Sequence, residues 1–317
     1  MARPRAAIEI GTHTARLLIA PDPGQSGNPG ALARKRAYIR LSEDFDYSEK
    51  KIIQSDSTNR TLNVLQDFLC DIKAFNVRSI HAIATGVVRE AINRDEFLGR
   101  IYEETGIRVK LITGDEEALL TAKGVLHALG VQTSPFLIFD LGGGSTEFFF
   151  GGKDTPSVKS TPLGAVILTK GYLKSDPPKR TQVDVLSGYI DRTLEKSSLE
   201  FTRKDEQIYV VGTGGTVTTL ALMHHGISTK EASAKRINGL TLKRKQIEAL
   251  FDKLSAMNFE DRVKLPGLDK GRAGIVLAGS LVVIRILHFL KALELTVSMS
   301  DLLEGILIDN TEGEYNG

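Results

Sequence analysis

The sequence predicts an α/β protein built from two similar halves, and three observations predict it. Short apolar runs alternate with helical patterns along the chain. An apolar strand, a glycine turn and a second apolar strand occur near the N-terminus and again about midway. The length, 317 residues, suits one large domain or two ordinary ones.

The elements follow in order. Ala6–Ile10 and Arg16–Ala20 are apolar and are split by Gly11-Thr12-His13-Thr14, which predicts two strands joined by a tight polar turn. Pro21–Gly30 is dense in proline and glycine and predicts a surface loop. Arg36–Leu41 predicts a third strand. Leu62, Leu65, Phe68, Leu69 and Ile72 recur at helical spacing. Ser79–Ala84 and Ile107–Ile112 predict two further strands. A helix is predicted from Asp115, with Leu119, Leu120, Leu126 and Leu129 as its apolar positions and Gly130 as its C-terminal cap. A linker over Gly130–Pro135 divides a first lobe, 1–130, from a second, 131–317, whose last helix is allowed to return to the first. Phe136–Leu141, Gly142-Gly143-Gly144 and Ser145–Phe150 then repeat the opening pattern. Gln207–Val211 predicts a buried strand that runs into Gly212-Thr213-Gly214-Gly215-Thr216 and a helix. Ile247, Leu250, Phe251, Leu254 and Met257 mark an amphipathic helix, and Ala273–Leu293 a long, mostly buried one. The polar tail Thr311–Gly317 is expected to be disordered.

Composition narrows the function. The chain is 41% hydrophobic and 25% charged, ordinary for a soluble protein. A formal net charge of +2 argues against the global basic field that drives nucleic-acid binding. The single cysteine, Cys70, excludes an internal disulfide framework and a multi-cysteine metal site, and it reads as a small core residue. No apolar run reaches the roughly 18 residues that span a membrane. No signal-peptide stretch follows Met1–Arg5. The expectation is a cytoplasmic protein with no nucleic-acid or membrane partner; a homodimer is the assembly allowed for.

Three glycine- and hydroxyl-rich turns stand at strand ends: Gly11-Thr12-His13-Thr14, Gly142-Gly143-Gly144-Ser145 and Gly212-Thr213-Gly214-Gly215-Thr216. Glycines let backbone N–H groups approach a phosphate closely, and the third turn precedes a helix whose N-terminus favours an anion. Glu9 and Asp140 lie just before the first two turns, and Glu147 just after the second. A carboxylate beside a phosphate site is unfavourable unless a cation lies between, and Mg²⁺ held by one or two carboxylates is the natural candidate. The blander alternative has Asp140 capping its own turn and Glu147 solvated. Asp115 and Glu116 read as acids suited to a helix N-terminus.

The chain resembles the exopolyphosphatase / guanosine pentaphosphate phosphatase (Ppx/GppA) family of the actin-like superfamily. The similar stretches are Ala7–Leu18, Ala84–Asn93, Gly114–Ala118, Asp140–Glu147, Pro162–Ala165 and Gly212–Thr216, in the family's order and in its short form. The resemblance implies two actin-like (ribonuclease H-like) lobes with an interdomain cleft. It implies release of terminal phosphate from inorganic polyphosphate or guanosine pentaphosphate, with Mg²⁺ or Mn²⁺ as cofactor. Glu117 matches the family's general base, and Arg89 a neighbouring active-site arginine, whose alternative is a surface salt bridge with Glu90 or Asp95. Asp140 and Glu147 match the metal-associated acids, with Glu9 joining them, and the backbone of Gly143, Gly144 and Ser145 would cradle phosphates. On this reading the turns at Gly11 and Gly142 face each other across the cleft.

The chain also departs from the family. Its first turn reads Glu9-Ile10-Gly11-Thr12-His13-Thr14 in place of aspartate-x-glycine-serine-asparagine-serine. Gly274 and Leu303 stand where the family has an acid and often an arginine. These departures motivate a second hypothesis, a non-catalytic sensor of polyphosphate or an alarmone. An ATP-dependent phosphotransferase on the same fold is the third.

Overall fold

The computed structural model describes residues 3–21, 30–43, 45, 51–132, 135–152, 156–197 and 208–309. The segment 22–29 of the expected surface loop and the tail from 310 lie outside the described residues. The chain divides into two compact units, Met1–His127 with Leu302–Gly317, and Ala128–Asp301.

The first unit contains β1 (Arg5–Ile10), β2 (Thr14–Ala20), β3 (Ala33–Tyr38), α1 (Ser55–Ala74), β4 (Ser79–Ala84), α2 (Val87–Glu90), α3 (Arg94–Thr105), β5 (Val109–Leu111) and α4 (Gly114–Leu129), whose last two residues fall in the second unit. Its sheet runs β3-β2-β1-β4-β5. β2 runs antiparallel to both β1 and β3, and β4 and β5 run parallel to β1. β1 is apolar on both faces because both are covered. Ala6, Ile8 and Ile10 pack with Leu62, Leu65 and Phe68 of α1 and Phe97 and Ile101 of α3. Ala7 and Leu18 face the other way.

The second unit contains β6 (Phe136–Leu141), β7 (Thr146–Gly151), β8 (Ser157–Thr161), α5 (Ala165–Tyr172), α6 (Arg180–Lys196), β9 (Tyr209–Thr213), α7 (Gly215–His225), α8 (Ala234–Ile237), β10 (Thr241–Lys243), α9 (Arg244–Ser255), α10 (Phe259–Arg262), α11 (Val276–Phe289) and β11 (Glu294–Val297). Its sheet runs β10-β11-β9-β6-β7-β8. β7 likewise runs antiparallel to both β6 and β8, and β9 and β11 run parallel to β6. The order β8-β7-β6-β9-β11 repeats β3-β2-β1-β4-β5 strand for strand, with β10 added at the edge. α11 is mostly apolar and mostly buried, as the sequence predicts, but it spans Val276–Phe289, shorter than the expected Ala273–Leu293, and Arg285 on it pairs with Asp191. The last helix, α12 (Leu302–Ile308), belongs to the first unit, where Leu302, Leu303, Ile306 and Leu307 cover the Ala7–Leu18 face of the sheet. Among the described residues no helix is long and apolar enough to cross a membrane.

Several expectations need correction. Cys70 is exposed on α1, not part of the core, because it falls outside the Leu62–Leu65–Phe68–Ile72 stripe. The third strand is Ala33–Tyr38; Ile39 and Arg40 leave it to donate their N–H groups to His13 O at 3.1 and 3.0 Å. In α4 the buried face is Glu117, Ala118, Thr121, Ala122, Gly124 and Val125, while Leu119 is 43% exposed. Leu120, by contrast, packs partly buried on the α12 cluster, where the two helices come close enough that a Cβ at Gly305 would lie 1.8 Å from Leu120 O. Leu303, where the family often has arginine, is a fully buried core residue on that same helix.

Candidate functional site

In the first unit, β1, β4 and β5 end in register, Ile10 beside Ala84 and Ala84 beside Leu111. Their carboxyl ends therefore deliver three segments to one sheet edge: the Gly11–His13 turn, Thr85–Gly86, and the start of α4. The carboxyl edge of parallel strands is where α/β sheets bind ligands. The first two segments interlock. Thr85 N–H donates to Ile10 O at 3.1 Å, and Val87 N–H donates to Thr12 Oγ1 at 3.2 Å. Gly86 permits this with φ of 53°, and a Cβ there would lie 2.2 Å from Thr12 Oγ1. The Thr12 hydroxyl thus anchors α2, the short helix that carries Arg89.

Glu117, in the first turn of α4, is 6% exposed. Arg89 Nη1 donates to Glu117 Oε2 at 3.2 Å and to Ile112 O at 3.2 Å. The alternative partners are engaged elsewhere: Glu90 pairs with Lys51, and Asp95 lies 3.9 Å from Arg94. Glu116 acts as a helix-capping acid, accepting from Thr113 N–H at 2.8 Å, while its own N–H donates to Thr113 Oγ1 at 3.1 Å. The Thr113 N–H, foremost, holds the Glu116 carboxyl below its usual range, with Lys110 helping. Two neighbouring glutamates therefore have different tasks. Glu116 caps the helix, and Glu117 is presented to a guanidinium.

Glu9 is also nearly buried and ion-pairs with Arg16, which stands directly opposite it on β2. His13 packs edge-on against Tyr38 with ring centroids 5.2 Å apart. Thr14 is the first residue of β2, and its carbonyl accepts from Gly11 N–H at 3.0 Å.

The second unit repeats the turn with different chemistry. Gly142 N–H donates to Ser145 O at 3.0 Å, as Gly11 does to Thr14 O. The Gly142 and Gly143 carbonyls are held from behind by the first N–H groups of α5: Ala165 to Gly142 O at 3.0 Å and Val166 to Gly143 O at 2.9 Å. Among the described residues, the N–H groups of Gly143, Gly144 and Ser145 donate to no carbonyl. With carbonyls tied back and N–H groups unspent, the turn is suited to an anion. Asp140 stands directly opposite Glu147, and Glu147 opposite Ser160. Thr213 of β9 is level with Asp140. The cross-sheet row Ser160–Glu147–Asp140–Thr213 puts two carboxylates, 2% and 7% exposed, on one face of adjacent strands.

The third predicted turn is shorter than the sequence suggests. Gly212 and Thr213 are strand residues of β9, with the Phe139 ring packed over Gly212 and Thr213 fully buried. The turn itself is Gly214, at φ 93°, lying against Leu141 O and Asp140 Oδ1, followed by Gly215 at the start of α7. The Thr216 side chain is buried against Gly279 of α11, so a contact to an anion from this residue would come from its backbone N–H. Arg272 carries no strong sequence signal, appearing only in a motif whose acid is replaced by the exposed Gly274. Yet its guanidinium occupies the space a side chain at Gly215 would take. A guanidinium beside the N–H end of a helix forms a cationic corner that a phosphate complements.

A family model for the Ppx/GppA phosphatase family matches residues 22–314. The chain belongs to that family. Exopolyphosphatase 2 of Mycobacterium tuberculosis is 31% identical over 322 residues, covering 96% of this chain and 97% of the relative. Exopolyphosphatase 1 of Mycobacterium leprae is 29% identical over 311 residues, covering 98% and 90%. Among solved structures, the Aquifex aeolicus Ppx/GppA family member has a TM-score of 0.79 at 30% identity, covering 96% of each chain. An exopolyphosphatase from Cytophaga hutchinsonii has a TM-score of 0.85 at 25% identity, also covering 96% of each. The expected fold class holds: mixed α/β with two sheets, as in the actin-like Ppx/GppA structures.

Proposed function

We propose that this chain is a cytoplasmic, divalent-metal-dependent acid anhydride hydrolase that releases terminal phosphate from inorganic polyphosphate. The observation that carries the reading is Glu117, a nearly buried carboxylate held by Arg89, in a chain whose near full-length relatives include exopolyphosphatases. In this reading Glu117 takes a proton from a water molecule as the water oxygen bonds to the terminal phosphorus. The bond from that phosphorus to its bridging oxygen breaks. Orthophosphate leaves, and the shortened chain carries away the bridging oxygen. Phosphoryl transfer of this kind depends on positioning and charge neutralisation more than on covalent chemistry. The backbone N–H groups of Gly143, Gly144 and Ser145 are the proposed cradle, with Gly214, Gly215 and Arg272 adding a second cationic contact.

Asp140 and Glu147 fit Mg²⁺ or Mn²⁺. Two carboxylates directly opposite on neighbouring strands repel unless a proton or cation lies between them. Among the described residues no group of three or more His, Cys, Asp or Glu forms a metal cage. That suits Mg²⁺, which takes one or two carboxylates and completes its shell with water and phosphate oxygens. When bound, the cation would neutralise charge on the phosphate oxygens. Glu9 is less suited to this role, because Arg16 already supplies its counter-charge.

The test is phosphate release from purified protein with Mg²⁺ or Mn²⁺, using polyphosphate and guanosine pentaphosphate side by side. Release from polyphosphate is expected, and release from guanosine pentaphosphate would add the nucleotide as a second substrate. Tight polyphosphate binding without release, with either cation, would replace this reading by the sensor.

A further inference from the structure

The row that carries Asp140 and Glu147 ends in a half-buried side chain with no assigned role. Ser160 Oγ donates to Glu147 Oε1 at 2.8 Å. We propose that Ser160 is a positioning residue for the divalent cation, holding one oxygen of Glu147 so that the carboxylate is presented to the metal in a single orientation. The proposal rests on the reading of Asp140 and Glu147 as metal acids.

Glutamate is long and loses more rotamer freedom on being fixed than a short side chain does. A strand residue beside it can supply that constraint before the cation arrives. Ser160 is itself well fixed. Its neighbour Thr161 donates through Oγ1 to Thr146 O at 3.1 Å, and Thr146 Oγ1 donates to Leu163 O at 2.6 Å. These bonds clasp the end of β8 against β7 immediately beside the pair. The chain then runs through Pro162–Gly164 into α5, whose Ala165 and Val166 N–H groups tie back the glycine-turn carbonyls. One segment, 160–166, therefore orients both the metal acid and the phosphate turn.

The residue type matters as much as the place. A hydroxyl donates one hydrogen bond and carries no charge, so it orients a carboxylate without competing with a cation for it. The first unit shows the contrary arrangement. There the residues at the corresponding register positions are Arg16 and Arg36, and Arg16 closes on Glu9 as an ion pair. A serine at the edge of the row adds no positive charge beside the carboxylate.

The experiment uses full-length protein and measures Mn²⁺ affinity by the loss of the free-ion paramagnetic resonance signal, with inorganic phosphate present. The variants are Ser160→Ala, Ser160→Thr, Ser160→Val and, as a control on the same strand, Ser157→Ala, whose side chain is exposed. Loss of a group that orients a metal ligand typically weakens metal affinity about 10–100-fold. Ser160→Ala is expected to fall in that range and to regain most of its turnover at saturating Mn²⁺. Ser160→Thr should stay within about threefold of wild type, because it keeps the donor. Ser160→Val, matched in shape to threonine, separates lost hydrogen bonding from altered packing and should behave like Ser160→Ala. Wild-type affinity in Ser160→Ala, or equal weakening in Ser157→Ala, overturns the role of Ser160 alone. A wild-type protein that takes up no Mn²⁺ overturns the metal reading and the proposal with it.

Discussion

Replacing Glu117 by glutamine tests the chemistry at one atom. Glutamine keeps the side chain's length and its carbonyl oxygen, so Arg89 Nη1 still has an acceptor near 3.2 Å. It loses the basic carboxylate and the charge opposite Arg89. A positioned general base typically contributes about 10²–10⁴-fold, and kcat is expected to fall by that factor with KM changed little. The stability cost can be bounded separately. Two unit charges 3.2 Å apart attract by roughly 5 kcal/mol at an effective dielectric of about 20, much of it offset by desolvation. Arg89 keeps its bond to Ile112 O. A net loss of about 1.5–3 kcal/mol, the usual worth of a charged hydrogen bond, is therefore expected in urea unfolding. The assay is steady-state phosphate release from polyphosphate with saturating Mg²⁺, beside urea melts of the same preparations. Arg89→Met should lower kcat as well, and the double variant should lose much less than the product of the two single losses, because the two residues act as a unit. Turnover within twofold of wild type in Glu117→Gln would remove Glu117 as the base. Multiplicative losses in the double variant would break the link between the two residues.

Two further outcomes follow from other contacts. Thr12→Val removes the acceptor of the buried Val87 N–H, so stability should fall by about 1–3 kcal/mol and kcat should fall with it, since α2 carries Arg89; Thr12→Ser should restore both, and unfolding curves with kinetics on the two variants check this. His81, half-buried beside Arg5, has its pKa lowered from 6.5, by burial first and by Arg5 second. The folded protein therefore holds this imidazole neutral, and its contribution is fully present above about pH 6.5 and is lost as pH falls through 6.5 toward the lower folded value. His81→Gln should flatten the dependence of stability on pH between 7.5 and 5.5 in urea melts.

What was legible in the sequence was local. The glycine turns announce themselves because strand, turn and strand are contiguous, and the parallel strand Ser79–Ala84 coincides with its prediction. What was not legible depends on register and on distant partners. Ser160 belongs to a strand whose exposed–intermediate alternation reads as ordinary surface, and it becomes notable only once Glu147 stands opposite. Arg272 is 57 positions from the turn it packs against, counted from Gly215. Arg89 has acids near it in sequence, yet its partner is Glu117, 28 residues on. On α4 the leucines mark the core only in part: Leu120 packs against the α12 cluster, but Leu119 is exposed and the buried positions are Glu117, Ala118, Thr121, Ala122, Gly124 and Val125.

The glutamate at position 9 stands one methylene longer than the family's aspartate, and a comparison of the two halves gives that length a use. The same hairpin is built twice, with Glu9 and Arg16 opposed in one copy and Asp140 and Glu147 in the other. The first copy pairs its acid with an arginine; the second places two acids directly opposite each other. An acid whose counter-charge is an arginine on the next strand benefits from length. Glu9 folds back over Gly11, where a Cβ would come within 3.1 Å of its Oε1, and meets Arg16 across the strand pair. The extra methylene thus serves an ion pair instead of spoiling a coordination shell. The turns diverge in the same sense. Thr12 spends its acceptor on Val87, inside the protein, while Gly143 and Gly144 have no side chains and offer only backbone N–H groups. The repeated hairpin thus carries an acid–arginine pair in one copy, beside the turn that anchors α2 and Arg89, and two opposed acids in the other. Loss of catalysis would be expected to erode Glu117, Asp140 or Glu147 first. The substitution at position 9 falls in the copy that can absorb it, so it gives the sensor hypothesis no support.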